Sequence, residues 1–266
     1  MGLKVYAVLI VLGSALLAQQ PAPVGYDDTP MQPNGKWRVH DGKRPQPKVV
    51  KPGDSVNMTP VAAPQDATIL IGPGADLSAW QMMDGAKVTW PMSNGVLETG
   101  KGFIRTKAEF TNFQLHVEFA TPKEVKGDSQ GRGNSGVFLL GKFEIQVLDS
   151  YQNPTYPDGQ ASAMYGQFPP LVNASRPPGT WQAYDIIFTA PDFTTGGTAE
   201  KPAVVTVLHN GIVVHNATPF WGPTAHKKID PYGPDTAKGP LSLQDHGNPV
   251  RYRNIWIRPL KDYDAP

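Results

Sequence analysis

The sequence predicts an all-β fold, a two-sheet jelly roll or a related β-sandwich carrying a proline-rich N-terminal arm, and three observations lead there. The 266 residues include 27 glycines and 28 prolines, a density of chain breakers that suits many short strands joined by turns better than long helices. Apolar residues alternate in Phe113-Gln-Leu-His-Val-Glu-Phe119. Phe113, Leu115, Val117 and Phe119 then share one face and Gln114, His116 and Glu118 the other, as in a half-buried strand. Two Asn-Gly pairs, Asn94-Gly95 and Asn210-Gly211, lie between strand-like runs, and Asn-Gly suits the positive φ that hairpin turns demand. A net charge of +1 with 18% charged residues offers no cluster of cations for a polyanion, which argues against nucleic acid as a partner.

Taken in order, the chain opens with one cation at Lys4 and an apolar run from Val5 to Leu17. That run has the length of a signal-peptide core and is too short to span a membrane. Residues 1–18 are therefore expected to direct export to the periplasm or the medium. With no cysteine anywhere, a disulfide framework, a thiolate metal site and a lipid-anchor cysteine are all ruled out. Residues 19–65 hold nine prolines, which fix φ and remove donors, so extended or turn-rich chain is expected. Composition alone would make this a flexible linker, but Tyr26, Trp37, Val39 and His40 are poor linker residues, and an arm partly docked on the main domain follows.

The main domain is expected over residues 66–260, followed by a short tail, 261–266. It begins with a strand near residues 68–71. A hairpin pairs 88–90 with 96–98 about Ser93-Asn94-Gly95, and a second pairs 204–208 with 212–214 about Asn210-Gly211. Further strands are expected at 136–140, 143–148, 181–188, 241–244 and 251–258. About ten strands and no amphipathic helix of useful length indicate a two-sheet sandwich. The connection 149–178 is too long for an ordinary loop and too aromatic for disorder, with Tyr151, Tyr156, Tyr165 and Phe168; it is expected to form an ordered wall over a binding face.

Candidate chemistry centres on Phe143-Glu-Ile-Gln-Val-Leu-Asp149. If Phe143, Ile145 and Val147 enter the core, Glu144 and Gln146 project together from the other face. Asp149 joins them only if the strand bulges or ends near Leu148. Paired carboxyls in a concavity are what acid–base chemistry on sugars uses; the plainer alternative is a solvated strand face and a turn-forming Asp149. Upstream, Gly131-Arg-Gly-Asn-Ser-Gly136 is either a simple turn or a place where backbone approaches a ligand, with Arg132 and Asn134 as donors. A serine-protease reading of its Gly-Asn-Ser-Gly fails, because only His40 and His116 precede it and neither sits in a protease-like motif. Gln244, Asp245 and His246 stand where a strand runs into a Gly-Asn-Pro turn, as turn formers or as an imidazole oriented by its neighbouring carboxylate. His209, His215 and His226 lack metal-ligand spacing and are expected at the surface. No metal or other cofactor is assigned, and calcium, a ligand of carboxylates and carbonyls, stays open.

Several of these segments together resemble a known family. Gly133-Asn-Ser-Gly-Val-Phe-Leu139, Phe143-Glu-Ile-Gln-Val-Leu-Asp-Ser-Tyr151, Pro169-Pro-Leu-Val-Asn173, Leu208-His-Asn-Gly211 and Leu243-Gln-Asp-His-Gly-Asn-Pro-Val250 look like the 3-keto-disaccharide hydrolase domain family, in order, over residues 66–260. The resemblance implies a concanavalin-like jelly roll, similar to laminarinase-type glycoside hydrolases, that acts on 3-keto-glucosides as a lyase and hydratase. Glu144, Gln146 and Asp149 also echo the laminarinase pattern Glu-x-Asp-x-x-Glu, with Gln146 in place of the Asp and Asp149 in place of the second Glu, which argues against ordinary retaining hydrolysis. A C3 ketone acidifies the C2 proton, so a base can remove it, the C1 substituent can leave, and water can add back. For that chemistry Glu144 and His246 are the expected base and acid, with Asp149 tuning one of them. Arg132, Asn134, Gln146 and Gln244 are the expected donors, and Tyr165 is expected to stack on the ring or protonate the leaving oxygen. The substrate would be an oxidised glucoside or disaccharide, supplied by a sugar 3-oxidoreductase. The alternatives are a direct glycoside hydrolase using Glu144 and Asp149, and a carbohydrate-binding sandwich without turnover.

Overall fold

The computed structural model describes residues 1–2, 24–53 and 59–261. Nearly all of the expected signal peptide and most of the tail lie outside these residues. The strands are β1 (Lys48–Val49), β2 (Thr68–Ile71), β3 (Trp80–Met82), β4 (Met92–Ser93), β5 (Val96–Glu98), β6 (Ile104–Thr106), β7 (Phe113–Ala120), β8 (Ser135–Leu139), β9 (Phe143–Val147), β10 (Val172–Asn173), β11 (Gln182–Thr189), β12 (Asp192–Phe193), β13 (Ala199–Lys201), β14 (Val204–His209), β15 (Ile212–Pro219), β16 (Ser242–Leu243) and β17 (Arg251–Pro259). The helical elements among the described residues are single 3-10 turns, so the all-β expectation holds.

Two antiparallel sheets form the sandwich. One has eight strands in the order β15-β14-β11-β7-β17-β5-β4, with β2 also paired to β17, and the other has five, β3-β6-β16-β8-β9. The alternating residues of β7 meet those of β8 and β9 between the sheets: Phe113, Leu115, Val117 and Phe119 from one side, Val137, Phe143, Ile145 and Val147 from the other, all at most 1% exposed. Burying each such side chain is worth about 1.5–3 kcal/mol. This core fixes which face of β9 is left for a site.

Both Asn-Gly turns form as two-residue hairpins with positive φ at each turn residue, Asn94 and Gly95 in one, Asn210 and Gly211 in the other. The first pairs Met92–Ser93 with Val96–Leu97, not 88–90 as the sequence suggested. Pro91 has no N–H to donate to a ladder; its carbonyl accepts from Glu98 N at 2.9 Å, and Val88 and Trp90 turn into the core instead.

The second face of β7 is not solvated as expected. His116 and Glu118 are both fully buried, because residues around Val61 cross this face: Val61 N donates to Glu118 Oε1 at 3.1 Å, and Asn254 Nδ2 donates to the Val61 carbonyl at 2.8 Å. Their polarity is satisfied. Arg253 Nε donates to Glu118 Oε2 at 2.6 Å, His116 pairs with Asp185 at 2.6 Å, and the imidazole stacks on Trp256. His209 and His215 are likewise interior rather than at the surface. Their Nε2 atoms meet Gln182 Oε1 at 2.9 Å and the Ser162 carbonyl at 2.8 Å, and burial drives them down to about 3 and about 4, so both are neutral.

The arm is docked. β1 pairs in parallel with β10, and Gln32 Nε2 donates to the carbonyls of Gly166 and Gln167, both at 3.0 Å. The 149–178 connection is the ordered wall expected, buried almost throughout residues 153–164. It extends the sheet at β9, the edge strand. Gln146 N donates to the Ala163 carbonyl at 3.0 Å, Ser162 N to the Gln146 carbonyl at 2.8 Å, and Tyr165 N to the Glu144 carbonyl at 3.2 Å.

Candidate active site

With Phe143, Ile145 and Val147 committed to the core, Glu144 and Gln146 project from the outer face of the five-stranded sheet, into a cleft of about 440 Å³ that also takes Asn134, Tyr165, Gln244 and His246. Six of the eight residues singled out from the sequence therefore share one concavity. Its volume suits a small-molecule site. Hollows of about 670 and 770 Å³ elsewhere are larger, but neither gathers a carboxyl with imidazoles.

Glu144 is 5% exposed, and burial pushes its carboxyl up to about 8 with no hydrogen bond or cation acting against it. At neutral pH it is chiefly the neutral acid, as an isolated carboxyl in a desolvated site should be. Space for it is made across the hairpin. Gly136 on β8 lies where a Cβ would come within 2.4 Å of Glu144 Oε1 and 2.9 Å of the Phe138 ring.

Beside the carboxyl runs an amide relay whose direction the geometry decides. Gln130 Nε2 donates to the Gly159 carbonyl at 2.9 Å, which leaves Gln130 Oε1 to accept from Gln146 Nε2, also at 2.9 Å. Asn134 Nδ2 donates to the Gln130 carbonyl at 2.7 Å. The oxygens Gln146 Oε1 and Asn134 Oδ1 are thus left buried without partners, as is Gln244 Oε1. Asn134 and Gln146 were expected as donors; each has one amide hydrogen engaged within the protein, and a carboxamide carries two. Buried acceptors of this kind cost free energy while they lack a donor.

On the opposite wall, Tyr156 and Tyr165 hydroxyls meet at 2.9 Å, and Tyr165 OH meets His226 Nδ1 at 3.0 Å. Burial pushes both phenols up, so they stay protonated. His226 is pushed down by partial burial and by neighbouring His40, Lys227 and His246, which favours a neutral imidazole. If Tyr156 and the His226 Nδ1–H both donate to the Tyr165 oxygen, the Tyr165 proton turns to the cleft and His226 Nε2 is bare. His246 lines the same cleft and is exposed. Asp245 does not orient it: its two oxygens accept from the amides of Gly102 at 2.8 Å and Gly247 at 2.7 Å.

Arg132 and Asp149 lie apart from this group. β9 ends at Val147, and Asp149 turns away to accept from Arg132 Nε at 2.7 Å and from Tyr151 N at 3.1 Å. The pair lines a neighbouring hollow of about 380 Å³. Burial pushes Asp149 up, against the guanidinium, which holds it down. Sequence reasoning missed Tyr26, Gln130, Tyr156 and His226. Alternation says nothing of loops and arms, and the one available signal was the aromatic density of residues 24–40 and 149–168. Among the described residues no group of three or more His, Cys, Asp or Glu is placed to hold a metal ion.

Comparison with known proteins gives three findings. A family model described as the 3-keto-alpha-glucoside-1,2-lyase-like domain matches residues 67–258. A 3-keto-disaccharide hydrolase of Bacteroides thetaiotaomicron is 25% identical over 222 residues, 69% of this chain and 71% of that protein. Among solved structures, a candidate glycosyl hydrolase of Parabacteroides distasonis is 43% identical and superposes with a TM-score of 0.69 over 82% of this chain and 93% of its own. A second from the same organism, 19% identical with a TM-score of 0.54 over 74% of this chain and 95% of its own, shares the fold.

Proposed function

Because the chain belongs to the 3-keto-alpha-glucoside-1,2-lyase-like domain family, we propose that its cleft cleaves 3-keto-glucosides by elimination and rehydration, with Glu144 as the acid. The observation that carries this is a buried carboxyl held neutral at about 8 in one cleft with His226, whose imidazole is pushed down towards its neutral form, so that an acid and a base stand together. A base of the His226–His246 pair takes the C2 proton, and the electrons pass into the C3 ketone as an enolate. Tyr165, whose phenol stays protonated, donates to that oxygen. As the enolate collapses, the C1–O bond breaks, C1=C2 forms, and Glu144 protonates the departing oxygen. Water then adds at C1, giving its proton back to Glu144, and the imidazole, having exchanged with solvent, delivers a proton to C2, so the net reaction is hydrolysis.

The amide side chains of Asn134, Gln146 and Gln244, which line the cleft, hydrogen-bond the hydroxyls of the keto ring and hold it beside Glu144. This differs from direct hydrolysis by a carboxylate pair, which would need Asp149 in the cleft. The substrate has to come from an oxidoreductase acting at C3 of the sugar, and export through residues 1–18 would put both steps outside the cytoplasm. The test is incubation with matched 3-keto and unoxidised glucosides, with Glu144→Gln and His246→Ala alongside. Release from the keto substrate alone, lost in Glu144→Gln, is expected; release from the unoxidised sugar would overturn the proposal.

A further inference from the structure

The 24–53 arm lies outside the stretch matched by the family model, residues 67–258, yet it reaches the cleft. Tyr26 lines the same concavity as Glu144 and His226. Its ring stands edge-on to His226 at 5.8 Å between centroids and 6.0 Å from Tyr156, and Lys227 Nζ lies 3.6 Å from its centroid. The backbone that carries it is fastened tightly. Tyr26 N donates to the His40 carbonyl at 2.9 Å, and two passes of the arm approach so closely at Gly25 and Gly42 that a Cβ on Gly25 would come within 2.3 Å of Gly42 N.

His40 is the anchor. It is fully buried, its amide donates to Asp158 Oδ2 at 2.9 Å, its Nδ1 meets Asp158 Oδ1 at 3.2 Å, and its ring packs on Tyr156 at 4.2 Å and Tyr165 at 4.7 Å. Gln32 Nε2 adds a third bond to Asp158 at 3.2 Å. The arm is therefore locked to the wall that carries the two phenols.

We propose that Tyr26 is a substrate-contacting residue, an aromatic wall against which the departing half of the glycoside packs, and that His40 with Asp158 positions it. The inference rests on reading the cleft as a 3-keto-glucoside site. The two halves of the cleft differ in chemistry. The sheet floor offers a carboxyl and amide side chains for a hydroxyl-rich ring, whereas the arm offers an aromatic face, which suits an aryl group or the C–H face of a second sugar. Specificity for the leaving group then resides in a segment separate from the chemistry.

The experiment uses the full chain with 4-nitrophenyl and methyl 3-keto-α-glucosides. Tyr26→Ala is expected to raise KM for the nitrophenyl substrate about tenfold, the order of one lost aromatic contact, with kcat and the methyl substrate's KM changed by less than about twofold. Tyr26→Phe should restore KM. His40→Ala should shift KM in the same direction, and His40→Asn, which can still donate to Asp158 and tolerates the positive φ at this position, should recover part of it. Unchanged KM for both substrates in Tyr26→Ala, or an equal loss of kcat on both, would overturn the proposal while leaving the eliminative chemistry standing. No turnover by the unaltered protein would remove the premise and the proposal together.

Discussion

Replacing Glu144 by Gln should make the protein more stable above neutral pH, by an amount that depends on pH in a defined way. The ordinary glutamate value is 4.5 and burial raises it to about 8 in the fold, so the folded state holds this proton more tightly than the unfolded chain does. Its favourable contribution is fully present below pH 4.5 and is lost as pH rises through 8. At about 1.4 kcal/mol per pH unit the loss is at most about 5 kcal/mol. Glutamine is uncharged at every pH and escapes it. The melting temperatures of the two proteins, measured from pH 4 to pH 9, should nearly coincide at pH 4. Glu144→Gln should then pull ahead, levelling off above pH 8. At roughly 2–4 °C per kcal/mol for a domain of this size, even a third of that ceiling is readily measured. A difference that stays flat across this range would refute the idea that Glu144 is neutral at physiological pH, and with it the role of Glu144 as the acid.

Three further outcomes are expected. Gly136→Ala puts a methyl within 2.4 Å of Glu144 Oε1; circular dichroism should show the fold retained while release of the leaving group falls at least tenfold, and near-normal activity would show that the carboxyl can move without cost. Arg132→Ala strips the partner from a buried carboxylate and should cost about 3 kcal/mol in denaturant unfolding, whereas a change under about 1 kcal/mol would mean that Asp149 simply takes up a proton. His116 is pushed down by burial but more strongly up by Asp185 and Glu118, to about 9. Its contribution is therefore fully present below pH 6.5 and lost as pH rises through 9. The melting-temperature deficit of His116→Gln should be largest at pH 6 and shrink towards pH 9.5, and a constant deficit would place the loss in packing on Trp256 instead.

What the sequence disclosed and what it hid divide along physical lines. Strand alternation tells which residues of one strand share a face, and it placed Phe143, Ile145 and Val147 inward and Glu144 and Gln146 outward correctly. It is blind to what a third layer lays over the outer face, which is why His116 and Glu118 read as solvated although the Val61 segment buries them. Residue type told that Asn134 and Gln146 are amides but not which of their atoms are engaged within the protein, because that depends on Gln130, whose backbone carbonyl takes the Asn134 amide and whose side-chain oxygen takes the Gln146 amide. Tyr26 and His226 reach the site from an arm and a loop without periodicity. Asp149 was recognisably conditional, since a strand ending at Val147 frees the next residues to turn.

Elimination leaves a mark that direct hydrolysis does not, so the sharpest single test is turnover of a 3-keto-glucoside in D₂O with an enzyme-free control for slow exchange. If the C2 proton is removed before C1–O cleavage and returned with water, the released 3-keto sugar carries deuterium at C2 from the first turnovers, and Glu144→Gln forms little of it. Full retention of the original hydrogen at C2 during normal release would contradict the account.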